Sequence, residues 1–202
     1  SGLRAPNGVG VSPEGLITCA DNQGNWVPEC PINVIRPGAY YGFAGQGQKA
    51  LPDREPPICW IPMSVDKSPG TQVWVTDERW GPLKGLAVIC SYDCTISLLL
   101  TEPLPGGGLQ GGVVRFPFTL PSGVMRGRFH PGDGQLYVAG LRGWSSRGAK
   151  DCAFSRVRRT SKPATLPVKV LTRKGGLDVT PWRAARPASW RTAGPCPSRS
   201  LI

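Results

Sequence analysis

The single histidine of this 202-residue chain, His130, is the first candidate for acid–base chemistry. It stands in Phe129-His-Pro-Gly-Asp-Gly134, and this mixture of Pro, Gly and Asp is typical of a tight turn. A Ser-His-Asp or Cys-His site would need partners that the sequence does not place around it. We therefore predict that His130 has a turn role and not a catalytic one.

The seven cysteines are a second possible source of chemistry. They form no CxxC pair and show neither metal-finger nor haem-attachment spacing, and their odd number argues against a complete disulfide framework. Cys90 and Cys94 flank a short turn and could face each other across a hairpin. Cys19 stands within a predicted strand and is expected to be a small buried hydrophobe. The cysteines therefore leave the compartment open.

Tryptophan rings can stack on sugars where polar groups converge beside them. Trp26, in Asn25-Trp-Val-Pro28, and Trp80, in Arg79-Trp-Gly-Pro82, are predicted to lie in loops, so they are the candidate ligand-facing residues. The alternative for both is ordinary packing. Trp74 lies in the middle of an alternating strand and is predicted to pack in the core.

A repeated pattern must position these residues. A Pro–Gly turn, an alternating strand and a polar or glycine stop recur in 11–21, 65–77 and 129–140, with Pro13, Pro69 and Pro131 at related places. A repeat of about 60 residues is typical of a blade of four antiparallel strands. The predicted fold is therefore all-β: a partial β-propeller of about three blades of a six-bladed type. The chain is expected to be the C-terminal part of a longer protein.

The net charge of +11 is concentrated near the end of the chain. Residues 154–202 hold 11 Lys or Arg and one acidic residue, whereas residues 1–153 hold 13 basic and 12 acidic residues. The segment after 176 is rich in Pro, Arg and Ala, although 177–180 is predicted to form a strand. We predict a propeller over 1–176 and a disordered basic tail over 177–202. No groove-reading helix or zinc finger accompanies the charge, and no apolar run is long enough to span a membrane, so neither nucleic acid nor a membrane span is expected.

Three motifs near the N-terminus keep the order and spacing of a known family. They are Arg4-Ala-Pro-Asn-Gly8, Asp21-Asn-Gln-Gly24 and Asn33-Val-Ile-Arg-Pro-Gly-Ala-Tyr-Tyr-Gly42. Together they resemble the soluble quinoprotein glucose and sorbosone dehydrogenases. Later segments, such as Trp80-Gly-Pro-Leu-Lys-Gly85, resemble propeller domains of large secreted bacterial proteins described as membrane-bound dehydrogenases, often fused to c-type cytochrome modules. The two resemblances cover about residues 2–175.

The resemblance implies pyrroloquinoline quinone (PQQ) and calcium as cofactors. It implies that Arg4 contacts the quinone, that Asn7 is a nearby polar contact, and that Asn22 and Gln23 lie in the loop near the metal, to which Gly24 offers a carbonyl. Calcium prefers such hard oxygen ligands. Arg142, after the third repeat, is expected to reach the same mouth. The sequence departs from the family at Ala5, at Asn7 and in the loop 21–26, and the family's general-base histidine lies in an earlier blade.

The implied reaction is oxidation of an aldose or another alcohol, with electrons passed to a cytochrome-type acceptor, in the periplasm or outside the cell. The alternative is a non-catalytic propeller that binds carbohydrate or a partner protein within a multidomain secreted chain. Fold alone does not choose between them.

Overall fold

The computed structural model describes residues 1–23, 27–44, 53–143, 147–160 and 166–181. Over these ranges the chain forms one 3₁₀ helix, Glu78–Leu83, and thirteen strands. The strands are β1 (Gly8–Val11), β2 (Ile17–Ala20), β3 (Glu29–Val34), β4 (Cys59–Pro62), β5 (Pro69–Trp74), β6 (Ala87–Ser91), β7 (Thr95–Pro103), β8 (Leu109–Arg115), β9 (Arg126–Phe129), β10 (Leu136–Leu141), β11 (Cys152–Val157), β12 (Pro167–Arg173) and β13 (Gly176–Pro181).

The strands form a partial β-propeller of about three blades, as predicted. Blade 1 is the antiparallel sheet β1-β2-β3-β4, and blade 2 is the antiparallel sheet β5-β6-β7-β8. Blade 3 contains β9, β10 and β11 in the described ranges, so it has three strands there where four were expected. The first strands of the blades lie side by side, since β5 contacts both β1 and β9. These three strands form the inner wall.

The repeat period was predicted correctly, but the Pro–Gly pair of the middle copy occupies a different place in its blade. Pro13 and Pro131 both lie in turns that follow an inner strand. Pro69, in contrast, is the first residue of the inner strand β5. In blade 2 the equivalent turn contains the 3₁₀ helix Glu78–Leu83, where the Asp77 side chain caps the helix by accepting the Arg79 N–H. The Pro–Gly signature therefore marks two different positions in the blade.

Glycines allow the inner strands to approach each other closely. A Cβ atom on Gly8 would lie 2.0 Å from the carbonyl carbon of Gly70 in the next blade, and one on Gly10 would lie 2.5 Å from the Gln72 carbonyl oxygen. A Cβ atom on Gly70 would lie 2.8 Å from the carbonyl oxygen of Met125, just before β9. Since real Cβ atoms do not approach backbone so closely, these positions exclude larger residues.

The hydrophobic core lies between the blades and not within one sheet. Blades 1 and 2 enclose one cluster, and blades 2 and 3 enclose the other. Residues alternate along each strand of blade 2, so that Ile89 and Leu99 face blade 1 while Val88 and Leu98 face blade 3. Blade 2 is thus buried on both faces, which explains the continuous apolar runs in β6 and β7.

The predicted boundary at residue 176 divides a hairpin. Strand 177–180 was predicted and is present as part of β13, which pairs antiparallel with β12. The described strands therefore continue to Pro181, five residues past the predicted boundary, and the domain division itself stays a prediction. Residues 182–202 lie outside the described residues, so the disordered basic tail stays a prediction.

The six described cysteines form no disulfide, including the pair Cys90 and Cys94 beside the β6–β7 turn. Cys19 is buried, as predicted, and burial raises the pKa of its thiol to about 11. Over the described residues, no helix has the length and apolar character needed to cross a membrane.

The close approach of β1 and β5 gives a direct test. Replacement Gly8→Ala forces a methyl group into the Gly70 backbone, and we expect it to lower the free energy of unfolding by about 2–3 kcal/mol. Gly112→Ala in β8 is the matched control, because nothing lies within 4 Å of its Cβ position. Urea unfolding of both variants measures the difference. Equal stability of the two variants would contradict the proposed constraint.

Candidate functional site

The strand connections form two rims. The upper rim comprises the residues before β1 and the connections after β2, β4, β6, β8 and β10; the lower rim comprises the connections after β1, β3, β5, β7 and β9. Contacts between blades respect this division. On the upper rim the Ser68 hydroxyl donates to Asn22 Oδ1 (3.2 Å), and on the lower rim Trp80 Nε1 donates to the Gly134 carbonyl (2.6 Å).

Asp21 fixes the backbone of the first motif on the upper rim. Its carboxylate is 4 % exposed and accepts N–H groups from Arg4 (2.7 Å), Ala5 (2.7 Å) and Asn22 (2.9 Å). Several backbone donors on one carboxylate make strong, charge-assisted hydrogen bonds. Asp21 therefore links the start of the chain to the end of β2 and sets the position of Arg4.

The structure brings the three N-terminal motifs together. The N–H groups of Tyr41 and Phe43, in the third motif and just after it, donate to the carbonyl oxygens of Ser1 and Gly2 (3.0 and 2.8 Å). Residues from all three motifs line one small cleft of about 20 Å³ on blade 1, among them Arg4, Asn22, Tyr41 and Trp60. This volume has room for about one water molecule. The cleft is therefore too small to hold a larger ligand by itself, and it can form only one wall of such a site.

Arg4 presents a cation at this cleft. Its side chain is exposed, and it forms no ion pair with any residue that the structure describes. Because its backbone is held by Asp21, the guanidinium group starts from a fixed point on the rim. A positioned guanidinium group of this kind suits an anionic ligand such as a carboxylate.

The other predicted contacts from these motifs lie nearby but are partly engaged within the protein. Asn22 Oδ1 accepts from Ser68 of blade 2, and Gln23 Oε1 lies 4.0 Å from Cys30 Sγ. Asn7 is half-buried and its backbone N–H donates to the Ala20 carbonyl (3.2 Å). Asn22 and Gln23 thus point towards the contact between blades 1 and 2. Gly24 and Trp26 lie outside the described residues.

A buried carboxylate stands behind Asn22. Asp66 is 2 % exposed; its Oδ1 accepts the Ser68 N–H (2.9 Å), while its Oδ2 has no well-formed hydrogen bond among the described residues. Burial raises the pKa of the Asp66 carboxyl to about 6, although the Ser68 N–H and the nearby Ser91 hydroxyl act in the opposite direction. Burial raises the pKa of the Cys30 thiol to about 12, and the nearby Asp66 carboxylate is the second cause of this increase.

The described residues hold no group of three or more His, Cys, Asp or Glu side chains that could bind a metal ion. Asp21 is already saturated by backbone N–H groups, and Asp66 offers one oxygen. Calcium usually takes six to eight oxygen ligands. The described residues therefore supply no carboxylate cluster for calcium, and Gly24, the expected carbonyl ligand, lies outside them.

The structure places Trp80 in the packing alternative and not at the Arg4 cleft. It lies on the lower rim, is 4 % exposed, and packs edge-on against Phe129 with ring centroids 5.2 Å apart. Its indole N–H is already used by the Gly134 carbonyl of blade 3. Both ring faces are thus within the core, because the 3₁₀ helix turns this residue inward.

Arg142 and His130 lie apart from the Arg4 cleft. Arg142 is on the upper rim of blade 3, where its guanidinium pairs with Asp151 Oδ1 (2.7 Å) and its N–H donates to the Asp151 carbonyl. It does not line the cleft. His130 is exposed on the lower rim, where its backbone closes the β9–β10 turn with Gly134 and Gln135. The predicted turn role of His130 is confirmed.

Sequence reasoning did not single out Trp60 or Asp66, and it named Tyr41 only as part of the third motif. Trp60 lies in β4 and lines the cleft, with the Arg54 guanidinium 5.1 Å from its ring centroid. Its place beside Arg4 depends on pairing between strands that are far apart in sequence, so no local pattern marks it. For Asp66, the only available signal was an acidic residue directly before the Lys67-Ser-Pro turn.

The raised pKa of Asp66 makes a pH-dependent prediction. Between the unfolded value near 3.8 and the folded value of about 6, the native state holds a proton that the unfolded state has lost, so this group's stabilising contribution falls as pH rises. We expect Asp66→Asn to raise the free energy of unfolding at pH 8 by about 2–3 kcal/mol and to have little effect at pH 4. The exposed Asp53→Asn is the control. Urea unfolding at both pH values checks this, and a gain that does not change with pH would contradict it.

No protein-family model and no curated protein sequence matches this chain. Solved structures do match, among them the following three. An oxidoreductase described as a glucose dehydrogenase from Thermus thermophilus is 20 % identical with a TM-score of 0.58, and the match covers 77 % of this chain and 45 % of that one. The soluble aldose sugar dehydrogenase of Escherichia coli, in its apo-form, is 17 % identical with a TM-score of 0.51 (68 % and 42 % covered).

The third structure is the PQQ-bound form of aldose sugar dehydrogenase from Streptomyces coelicolor. It is 15 % identical with a TM-score of 0.52, and the match covers 76 % of this chain and 43 % of that one. This chain therefore spans less than half the length of each of these proteins, and at such identities the likeness is one of fold. In fold, the chain is similar to part of the soluble sugar dehydrogenases.

Proposed function

We propose that this chain forms part of a quinoprotein sugar dehydrogenase, in which its upper rim binds PQQ. The observation that carries the proposal is Arg4: Asp21 holds its backbone, and its guanidinium has no acidic partner among the described residues. PQQ is an anionic quinone with several carboxylates. A held guanidinium group fits such a ligand, and one of the three structural neighbours is PQQ-bound.

The residues of this chain would bind and orient the quinone. Arg4 would pair with a carboxylate, and the Asn7 and Asn22 amides would contribute hydrogen bonds at the same rim. The quinone, when bound, supplies the oxidant that removes a hydride equivalent from an aldose or another alcohol. The Arg4 guanidinium and the two amides suit the carboxylates of the quinone, whereas the described residues supply no carboxylate cluster for calcium, so we assign calcium no step.

The base for this reaction is not part of the described upper rim. His130, the single histidine of the chain, lies on the lower rim. We therefore assign this chain cofactor binding and orientation, and leave proton abstraction to other blades of the complete propeller. A cytochrome-type electron acceptor and a periplasmic or extracellular location, both implied by the family resemblance, belong to the same proposal.

Arg4→Gln tests the quinone site. We expect this substitution to weaken PQQ binding by the 202-residue chain at least about tenfold, equivalent to about 1.4 kcal/mol, because the cation facing the carboxylates is lost. The measurement is quenching of tryptophan fluorescence during titration with PQQ. Arg158→Gln, which removes an exposed arginine that follows β11, is the control and should bind as the native chain does. Absence of saturable binding, or equal affinity of both variants, would reject the proposal.

A non-catalytic carbohydrate-binding propeller is the second candidate. The observation that favours it is the absence of a histidine from the described upper rim, together with the aromatic side chains of Tyr41 and Trp60 at the cleft. Aromatic rings in a rim cleft suit sugar stacking.

Calorimetric titration of the native chain with an aldose, in the absence of quinone, distinguishes this candidate. Saturable heat that is reduced at least about fivefold in affinity by Trp60→Ala would support sugar binding without a cofactor. Phe118→Ala, at an exposed aromatic residue that does not line the cleft, should change nothing. Binding of the sugar only after PQQ has been added would instead favour the dehydrogenase.

A further inference from the structure

The Ser68 hydroxyl joins blade 2 to the Arg4 cleft of blade 1. Ser68 is the last residue of the β4–β5 connection, and its hydroxyl donates to Asn22 Oδ1 (3.2 Å). Asn22 lines the cleft, and its backbone N–H donates to Asp21 Oδ1 (2.9 Å). The side chain of this cleft residue is therefore held by the next blade, whereas its backbone is held by its own blade.

The backbone of Ser68 is held on both sides. Its N–H donates to Asp66 Oδ1 (2.9 Å), and its carbonyl oxygen accepts the Tyr92 N–H (3.1 Å) from the β6–β7 turn. The Asp66 carboxylate is itself buried and enclosed by protein. Ser68 also directly precedes Pro69, and a proline restricts the backbone conformation of the residue before it. The hydroxyl group therefore starts from a fixed point of blade 2.

The contact between blades 1 and 2 fixes this point relative to the cleft. Gly70, two residues after Ser68, lies with its backbone against Gly8 of β1. The carbonyl oxygen of Lys67, one residue before Ser68, accepts a hydrogen bond from Cys30 Sγ of β3 (3.5 Å). The segment that carries Ser68 thus contacts blade 1 on both sides of this residue, so the hydroxyl group has little freedom to move away from Asn22.

The Ser68 hydrogen bond determines which end of the Asn22 amide faces the cleft. An asparagine amide has one oxygen, which accepts hydrogen bonds, and one NH₂ group, which donates them. Because Oδ1 accepts the Ser68 hydroxyl, the NH₂ group is left for the cleft, and it has no partner among the residues that the structure describes. In the reversed orientation the NH₂ group would donate to Ser68 Oγ, and the described residues would offer the hydroxyl hydrogen no other acceptor.

We infer that Ser68 is a positioning residue of the proposed quinone site, which turns the NH₂ group of Asn22 towards the cleft that Arg4 also lines. The amide and the guanidinium group then both present hydrogen-bond donors, which suit the carboxylate and carbonyl oxygens of an anionic quinone. An amide oxygen in the same place would repel these acceptors. The inference rests on the proposed function for its ligand, whereas the orientation of Asn22 is measurable without a ligand.

Nuclear magnetic resonance of the ligand-free, isotope-labelled 202-residue chain tests the orientation. The signal to follow is the Asn22 side-chain carbonyl carbon, Cγ, which Asn22→Ala assigns by removing it. Its chemical shift increases when Oδ1 accepts a hydrogen bond, so we expect Ser68→Ala to lower the shift and Ser68→Thr, which keeps the hydroxyl, to restore it. Ser155→Ala, at a half-buried serine of β11 that does not line the cleft, is the matched control and should leave the signal unchanged. An Asn22 signal that is the same in Ser68→Ala as in the native chain would overturn the inference.

Titrations with PQQ, followed by tryptophan fluorescence, test the positioning role with the same variants. Ser68→Ala should weaken quinone binding at least about threefold, as expected for the loss of one well-placed hydrogen bond, and Ser68→Thr should restore the affinity. In a chain that already carries Asn22→Ala, adding Ser68→Ala should weaken binding no further, because Ser68 acts through Asn22. A further loss in that background would show that Ser68 serves the blade contact alone, and it would overturn the inference.

Failure of the proposed function is a separate outcome of these measurements. A native chain without saturable PQQ binding would reject the quinone site. The Asn22 carbon signal would then decide the orientation by itself: a lowered shift in Ser68→Ala that Ser68→Thr restores would support it, and an unchanged shift would overturn it.

Discussion

Backbone-to-backbone contact between neighbouring inner strands is the constraint on which this structure depends. Gly8, Gly10 and Gly70 let β1, β5 and the segment before β9 lie closer than any side chain would permit. Because the inner strands lie so close together, neighbouring blades diverge towards their outer strands. The two apolar clusters fill the space between the blades. The radial arrangement of the blades therefore depends on residues that contribute no side-chain burial themselves.

The sequence was informative where a signal is local. The continuous apolar runs of β6 and β7 are a local signal for buried strands, whereas the loop predicted around Trp80 contains a 3₁₀ helix. The inner strands β1 and β9 were harder to find, since Gly8–Val11 and Arg126–Phe129 are short and rich in glycine or arginine. The phase error at Pro69 has a related cause: proline suits both a turn and the first position of a strand.

Pairing between distant segments explains what the sequence could not show about the site. The three N-terminal motifs were recognised, and they do converge. Nothing local revealed that the Asp21 carboxylate holds the first motif, or that the third motif pairs with Ser1 and Gly2. The inward orientation of Trp80 was also hidden, because it depends on the kink at Gly81, where φ is 55°, and on a carbonyl group of the next blade. A tryptophan in a loop is thus not automatically a tryptophan on a surface.

The buried thiols have a consequence for the redox chemistry of the protein. Burial raises the pKa of Cys19 to about 11 and those of Cys30, Cys59 and Cys90 to about 12. Near neutral pH only about one such group in ten thousand, or fewer, is therefore a thiolate, the form that reacts with peroxides and disulfides. These sulfur atoms would therefore react slowly, and among the cysteines that the structure describes, oxidation would fall first on the exposed Cys152.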